Sequence, residues 1–426
     1  MRRARASWRT RRIWLLVLVL AGSGACAGCV ATPPRPTASA PGLSTPRETL
    51  EATTPAMANG YHWVPVDLGQ FGGVNLQAVT TGADGGLLGI GNWLTSEAPD
   101  GTKRHPTIWT SGDGGTWERL PDGQAFVSRR DRWEESVLDV VANQRGFVSV
   151  GVEQFDDASS ADAAAWFSPD GTTWTRAKVA DGVGRTMDQV VATADGFVAI
   201  GEAGYDFHAG FGAGTAIWTS ANGQTWARLP ERESPPRGTA LRSVVAGAGE
   251  YFASASFEVS QGEEPQPRPP VIDGIWRSPD AVHWKPVAGT PLDTGDVVVV
   301  PNGFIAMGST DGSGVTSAVA WRSMDGRTWV RFALPRPPDV PAGVSIYGGR
   351  LVNGPAGLVA FGERDDDFST VGWSSADGTV WIPLGLTAAL KSAQIERAVP
   401  VNGSILLLGQ RATGGDYTPA DWLLTP

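Results

Sequence analysis

A nine-residue pattern, Trp-x-Ser-x-Asp-Gly-x-x-Trp, occurs six times and constrains the fold of this chain more than any other feature. Asp or Asn followed by Gly is a strong turn signal, because Gly tolerates a positive φ and the Asx side chain can accept local main-chain N–H groups. Apolar residues flank the turn, so each copy predicts a β-hairpin. The copies, here called boxes, span residues 109–117, 166–174, 218–226, 276–284, 321–329 and 373–381.

A second hairpin is predicted upstream of each box. In residues 189–201, two apolar runs flank the turn signal Ala194-Asp195-Gly196. Joined to a box, such a segment gives four short strands in about 50 residues, a period typical of β-propeller blades. There are seven of these upstream hairpins, at residues 76–91, 137–151, 189–201, 241–255, 297–308, 350–362 and 395–409.

The two chain ends supply the missing seventh box. Ala420-Asp421-Trp422 matches the third strand of the other blades, and residues 61–66 match the fourth. Pro65, Pro286 and Pro383 lie two residues after the second Trp; Pro cannot donate to a ladder, so this fourth strand should be the outer edge. We therefore predict an all-β, seven-bladed β-propeller over residues 59–426. It has four antiparallel strands per blade, and the last blade is closed by the N-terminal strand.

The start of the chain is predicted to direct export. Residues 1–28 place six arginines before the short apolar stretch 13–21, as a signal peptide does, and leave Sec and twin-arginine export both open. Ala27-Gly28-Cys29 resembles the end of a bacterial lipobox, which implies lipidation of Cys29; plain cleavage after Ala25-Cys26-Ala27 is the alternative. Residues 29–58, rich in Thr, Pro and Ala, predict a disordered tether. The expected location is the outer face of the cytoplasmic membrane, the cell envelope or the medium.

Charge narrows the range of partners. The chain has a formal net charge of −10, and all six basic residues of the signal peptide are lost on cleavage. A nucleic-acid partner is not expected, because phosphate binding requires a basic surface. Both cysteines lie within the first 29 residues, so the propeller has no disulfide. We expect no metal and no cofactor, because one box Asp per blade cannot share an ion and the acidic runs lack ligand spacing.

The Ser-x-Asp-Gly-x-Thr-Trp core of the boxes resembles the Asp-box, or BNR repeat, of sialidases and related propellers. In those families the box is a structural turn on the face away from the active site, which implies a structural role for the box aspartates. The resemblance does not extend to sialidase activity, since the N-terminal Arg-Ile-Pro motif is absent and sialidases are six-bladed. A seven-bladed count is more similar to the photosystem II assembly factor family, which implies that such propellers can serve as binding scaffolds.

A binding site is expected on the face opposite the boxes. The connections from the second to the third strand, and from each blade to the next, are long and meet on that face, where rigid frames commonly carry binding residues. The second-to-third connections are predicted to be loops over residues 92–106, 153–162, 202–214, 258–270, 363–367 and 410–416. From them come the candidate ligand-binding residues Trp93, Glu202, Tyr205, His208, Glu363, Arg364 and Arg411.

The Gly-rich loop around Tyr205 and His208 is the preferred contact site, because exposed aromatics suit protein or carbohydrate ligands. The alternative is that its aromatics fold back onto the blade. Glu202 and Glu363 each follow the Gly that ends a second strand, which should direct them towards the central opening. They are weak candidates for a catalytic carboxylate pair.

These features favour a non-catalytic binding or scaffold module for a protein or glycan of the cell envelope. Its contact with the membrane would be through the N-terminal lipid alone, and we expect a monomer. A secreted glycoside hydrolase that uses carboxylates on the same face is the alternative, because paired carboxylates brought together by folding cannot be seen in a sequence. A structural or assembly role in the envelope is the third hypothesis.

Overall fold

A computed structural model of the protein describes residues 62–66, 74–98, 101–121, 126, 132–155, 161–204, 214–230, 235–236, 238–257, 274–288, 293–312, 314–386, 388–413 and 416–425. All of these residues belong to one compact unit, Ala56–Pro426. The predicted signal peptide, Cys29 and the tether lie outside the described residues. No helix in the described ranges combines the length and apolar character needed to cross a bilayer.

The described strands form seven separate sheets, one for each predicted blade. The first strand, β1 (His62–Pro65), belongs to the last of them. Blade 1 contains β2 (Val74–Thr81), β3 (Leu87–Ala98), β4 (Gly101–Ser111) and β5 (Glu118–Arg119). Blade 2 contains β6 (Arg132–Asn143), β7 (Gly146–Phe155), β8 (Ala161–Ser168) and β9 (Thr175–Arg176). Blade 3 contains β10 (Lys178–Val179), β11 (Gln189–Thr193), β12 (Gly196–Glu202), β13 (Thr215–Ser220) and β14 (Thr225–Arg228).

The remaining blades repeat the same order. Blade 4 contains β15 (Thr239–Gly247), β16 (Glu250–Phe257), β17 (Gly274–Ser278) and β18 (Lys285–Pro286). Blade 5 contains β19 (Asp293–Val300), β20 (Gly303–Gly312), β21 (Val315–Ser323) and β22 (Val330–Ala333). Blade 6 contains β23 (Ile346–Gly354), β24 (Gly357–Arg364), β25 (Thr370–Ser375) and β26 (Ile382–Pro383). After the short helix α1 (Ala388–Lys391), blade 7 contains β27 (Ala393–Val401), β28 (Ser404–Thr413), β29 (Asp416–Pro419), β30 (Trp422–Thr425) and β1.

The blades form a closed ring. Their first strands contact one another in chain order, and β27 of blade 7 contacts β2 of blade 1. The hydrophobic core lies between blades. In one cluster, Ala78 and Leu88 of blade 1 pack with Trp166 and Trp174 of blade 2, and the other interfaces repeat this arrangement. The predicted seven-bladed propeller is therefore confirmed, with a fifth strand added in blade 3 (β10) and in blade 7 (β29).

Closure by the N-terminal strand is also confirmed. β1 pairs antiparallel with β30, and Pro65 lies opposite Trp422 while Trp63 lies opposite Leu424. Pairs such as Trp276 and Pro286 in blade 4 show the same register, in which the first Trp faces the residue two after the second Trp. The chain ends thus build a fourth strand equivalent to that of every other blade.

The box is a network of local hydrogen bonds, as blade 2 shows. Ser168 Oγ accepts from Gly171 N at 2.8 Å, and Asp170 Oδ1 accepts from the N–H groups of Thr172 and Thr173 at 2.8 and 2.7 Å. Trp174 Nε1 donates to the carbonyl of Gly171 at 2.9 Å. The N–H groups of Thr173 and Thr172 lower the pKa of the Asp170 carboxyl. Asp170 Oδ1 therefore holds the turn through its two hydrogen bonds to main-chain N–H groups.

Candidate functional site

The face that carries the second-to-third connections is built largely of extended hairpins. β3 and β4 stay paired from Leu87 opposite Ser111 to Ala98 opposite Gly101. β28 and β29 likewise pair from Gln410 opposite Pro419 to Thr413 opposite Asp416. The expectation of loops over residues 92–106 and 410–416 was wrong, because their described residues continue the ladder of the blade. The ends of the expected loop 153–162 are paired in the same way, Glu153 with Asp162 and Gln154 with Ala161. A ladder satisfies the main-chain N–H and C=O groups that an irregular loop would leave to water.

The predicted ligand-binding residues are spread over several blades. Trp93 lies in β3 opposite His105. Tyr205 and His208 lie outside the described residues. The Arg411 guanidinium lies over the Trp422 ring, 5.9 Å from its centroid. Their role in binding stays a prediction.

Arg364, at the end of β24, is held within its own turn. Its Nη2 donates to Asp366 at 2.6 Å, and its Nε lies 3.5 Å from Asp367. The hydrogen bond to Asp366 is the largest of the effects that raise the pKa of Arg364. This cation therefore stabilises the turn that follows the strand.

The carboxylates Glu202 and Glu363 are both buried, 5% and 8% exposed. Glu202 ends the second strand of blade 3 and accepts from Arg242 of blade 4 at 2.8 Å. Glu363 lies in blade 6, opposite Tyr347 on one side and Thr370 on the other. The two acids belong to blades that are not neighbours in the ring. Glu202 also has a structural task, since its ion pair joins two blades.

The innermost strands carry a repeated contact that we call the inner girdle. A side chain at one equivalent position accepts the main-chain N–H at the next position of the following blade. Asp139 accepts from Val190 at 3.0 Å, and Gln189 accepts from Val244 at 3.1 Å. The same contact links blades 4 and 5 through Ser243 and Val297 at 3.1 Å, and blades 5 and 6 through Asp296 and Leu351 at 3.2 Å.

In blades 6 and 7 the equivalent position holds an arginine instead of an acceptor side chain, and these two arginines continue the inner girdle. Arg350 of blade 6 donates to Asp296 at 3.3 Å and to the Ile395 carbonyl at 3.4 Å. Arg397 of blade 7 donates to Asp139 of blade 2 at 2.8 Å and to the Leu138 carbonyl at 3.0 Å. Blade 1, which lies between them, has only Ala78 at this position. Arg397 thus ties blade 7 to blade 2 past the small side chain of blade 1.

Blade 2 holds a further cluster of acids. Glu135, Glu153 and Asp162 lie directly opposite one another on adjacent strands, so their side chains share one face of the sheet. Arg176 reaches Glu135 at 2.8 Å and Glu153 at 2.7 Å, and its guanidinium lies over the Trp166 ring at 5.2 Å from the centroid. Two buried glutamates beside an arginine are the arrangement here that most resembles an acid–base site.

The sequence pattern did not single out Glu135, because its pairing depends on a bulge between Val137 and Asp139 that shifts the register. If residue pairs are counted back from the turn at Asn143 without the bulge, Glu135 falls opposite a residue other than Glu153. Among the residues that the structure describes, no group of three His, Cys, Asp or Glu side chains is arranged to hold a metal ion.

A groove of about 450 Å³ opens on the box side, between blades 1 and 2. Asp84, Glu118 and Asp170 contribute acidic groups to its lining. Asp84 accepts from Gly86 N at 3.0 Å, and Asp170 holds its own box turn. These aspartates are engaged in turn geometry.

Comparison with known proteins adds little to the sheet topology. No protein-family model matches the chain, and no curated protein is similar in sequence. Solved structures that resemble it include a Dyadobacter fermentans protein of unknown function (12% identity, TM-score 0.45, 86% of this chain and 99% of that chain). A Fusarium graminearum alpha-L-arabinofuranosidase also resembles it (12%, 0.42, 82% and 92%). A third is Trypanosoma rangeli sialidase (11%, 0.43, 86% and 60%), of which the chain covers less than two thirds. At these values the architecture rests on the strand pairing described above.

Proposed function

We propose that the protein is an exported, non-catalytic binding module, anchored through a lipid on Cys29. It would bind a protein or glycan of the cell envelope with the face that carries the long hairpins. The observation that supports this best is that three acids near the ring centre already form ion pairs between blades. Glu202, Asp139 and Asp296 are each joined to an arginine of another blade, so they stabilise a rigid frame.

The long hairpins would supply the contacts. The hairpin of β3 and β4 carries Trp93, Lys103 and Arg104 in its paired stretch. A strand pair that is already formed loses little main-chain entropy on binding, and Trp offers a large contact area with only two rotatable χ angles. A rigid ring with such hairpins suits recognition without chemistry.

A binding screen tests this proposal. The full-length protein would be applied to envelope glycan arrays and used to capture envelope proteins. Trp93→Ala is expected to weaken a specific interaction at least tenfold. Met324→Ala is the matched control, because Met324 is exposed on a box turn at the opposite face. Equal loss in both variants, or reproducible failure to bind any glycan or protein, would contradict the proposal.

A secreted glycoside hydrolase is the second candidate, and the pair Glu135 and Glu153 favours it. Both carboxylates contact the guanidinium of Arg176, at 2.8 and 2.7 Å, so the two acids lie near one another, as a retaining glycosidase requires of carboxyl groups about 5–5.5 Å apart. Both glutamates are buried, which opposes substrate access.

Aryl glycosides distinguish the two candidates. If the protein hydrolyses any of them, Glu135→Gln and Glu153→Gln should lower turnover by at least a hundredfold. Glu202→Gln and Glu363→Gln test the pair suggested by the sequence, and the exposed Glu118→Gln serves as the control. Absence of hydrolysis over the whole panel would remove the second candidate.

Export and anchoring need their own measurement. Labelling with a radioactive fatty acid should mark the wild-type protein and not Cys29→Ser. The same variant should move from the membrane fraction to the medium. Light scattering of the detergent-solubilised protein should give the mass of a monomer.

A further inference from the structure

Asp421 joins three strands at the point where the ring closes. Its main-chain carbonyl accepts from Val66 N at 3.0 Å, which extends the pairing of β1 with β30. Its side-chain Oδ1 accepts from Gly409 N of β28 at 3.2 Å. One residue therefore holds the N-terminal strand with its main chain and the second strand of blade 7 with its carboxyl group.

The carboxyl group replaces a main-chain acceptor. The register on either side, Leu407 with Trp422 and Gln410 with Pro419, places Gly409 opposite Ala420. Ala420 N donates to the Gly409 carbonyl at 2.9 Å, but the returning bond from Gly409 N goes to Asp421. The closing blade is the only one with an acid here; the equivalent residues are Ile108, Ala165, Ile217, Ile275, Ala320 and Gly372.

The surroundings of Asp421 disfavour a negative charge. The residue is buried. The register places it opposite Leu408 and on the same sheet face as Leu423, and both leucines belong to the apolar cluster between blades 7 and 1. From β27, Glu396 adds a second carboxylate, which accepts from Gln410 at 2.6 Å, and Arg397 is paired with Asp139.

The neighbouring elements also carry basic groups. Arg411 of β28 lies over Trp422, on the other face of the sheet. His62 of β1 pairs with Thr425, at the far end of its strand. From blade 1, Arg119 stands opposite Trp109 on the face that meets blade 7.

We propose that Asp421 is a proton-controlled latch, whose neutral carboxyl group closes the seventh blade and whose ionisation loosens β1. Burial is the largest effect on the pKa of Asp421 and raises it well above its ordinary value; the hydrogen bond from Gly409 N opposes this in part, and the charge of Glu396 adds to it. In the unfolded or open chain the carboxyl ionises at an ordinary pKa. The stability that the neutral form contributes is therefore present in acid and is lost as the pH rises towards the raised pKa.

Hydrogen exchange of the full-length protein between pH 5 and 9, corrected for intrinsic rates, tests the latch. The opening constant of the β1 peptide should rise about tenfold per pH unit until the pH reaches the raised pKa. The outer strand of blade 6, β26, is the internal control and should show no such rise. A β1 peptide that opens with the same pH dependence as β26 would overturn the proposal.

Two variants and a control variant identify the titrating group. Asp421→Asn keeps an oxygen for Gly409 N and cannot ionise, so opening of its β1 should be independent of pH; a rise like that of the wild type overturns the proposal. Asp195→Asn, on an exposed turn of blade 3, should behave as the wild type. Glu396→Gln should end the rise at a lower pH. If Asp421→Asn fails to fold, Glu396→Gln alone tests the proposal. The latch is then refuted if the opening constant of β1 stops rising at the same pH as in the wild type.

Discussion

At the scale of the residue, each position of the box has a separate physical task. The Gly adopts a positive φ and also lies against the preceding blade. A Cβ at Gly326, where φ is 69°, would come 2.4 Å from Phe252 of blade 4. Blade 4 itself has Ala281 at this position with a φ of 62°, so the fold tolerates a methyl group at one interface. The box thus combines a local turn with inter-blade packing.

Gly326→Ala should therefore destabilise the protein by roughly 2–4 kcal/mol, the sum of left-handed strain and overpacking. Gly85→Ala is the control. It has a φ of 83° but open space around the new Cβ, so it should cost about 1–2 kcal/mol. Urea unfolding measures both, and equal losses would show that the contact with Phe252 does not matter.

The box aspartates should make the protein sensitive to acid. Hydrogen bonds from Thr328 N and Arg327 N lower the pKa of Asp325 to about 2. Because this pKa is below that of the unfolded chain, the stabilisation is present above pH 4 and is lost as the pH falls towards 2.

Asp325→Asn isolates this effect. Blade 3 already has Asn222, whose Oδ1 accepts from Gln224 N and Thr225 N at 2.9 and 3.0 Å. The variant should match the wild type at pH 7 and lose less stability between pH 4 and 2. Parallel acid losses in the two proteins, followed by circular dichroism, would contradict the assignment.

At the scale of the element, the alternation of apolar residues and the turn signals predicted the hairpins well. Both the upstream hairpins and the boxes were placed from the sequence because their information is local. The ends of β3 and β28 were missed, because a ladder can continue through polar residues such as Asn92 and Gln410 when its partner strand does. The outer strand β1 was found through its match to the others.

Trp63→Ala should remove about 3–5 kcal/mol, since Trp63 is buried between blades 6 and 7. Val64→Ala, the next residue of β1, should change stability by less than about 0.5 kcal/mol, because Val64 is exposed on the edge strand. Thermal unfolding of the two variants separates ring closure from strand propensity. Similar melting of both would mean that β1 does not seal the ring.

At the scale of the whole molecule, the ring is held by contacts between residues far apart in the chain. Arg397 and Asp139 are 258 residues apart, yet their side chains meet at 2.8 Å. Neither lies in a recognisable motif, so the candidate-site chemistry could not be predicted as the fold was. The inner girdle and the glutamates of blade 2 depend on ring geometry and on bulges.

Arg397→Met should destabilise the protein by about 1–3 kcal/mol, because it removes a partly buried charged hydrogen bond and leaves the Asp139 carboxylate without its arginine. Arg327→Met is the control. Its ion pair with Glu250 at 3.4 Å is exposed, and such pairs contribute about 0–1 kcal/mol. Urea midpoints compare the two. A loss no larger than that of the control would show that blade 7 is not tied to blade 2 in this way.

The sequence by itself determined the number of blades, the strand order within each and the closure by both chain ends. Turn chemistry and two-residue alternation act over fewer than about ten residues, so the structure of each hairpin follows from its own local sequence. Only the tertiary structure decided which charged groups meet, as with Arg176 between Glu135 and Glu153, or Asp421 beside Gly409. The reason is that the bulges and the curvature of the ring set the register and facing of these side chains, and neither is encoded in a local period.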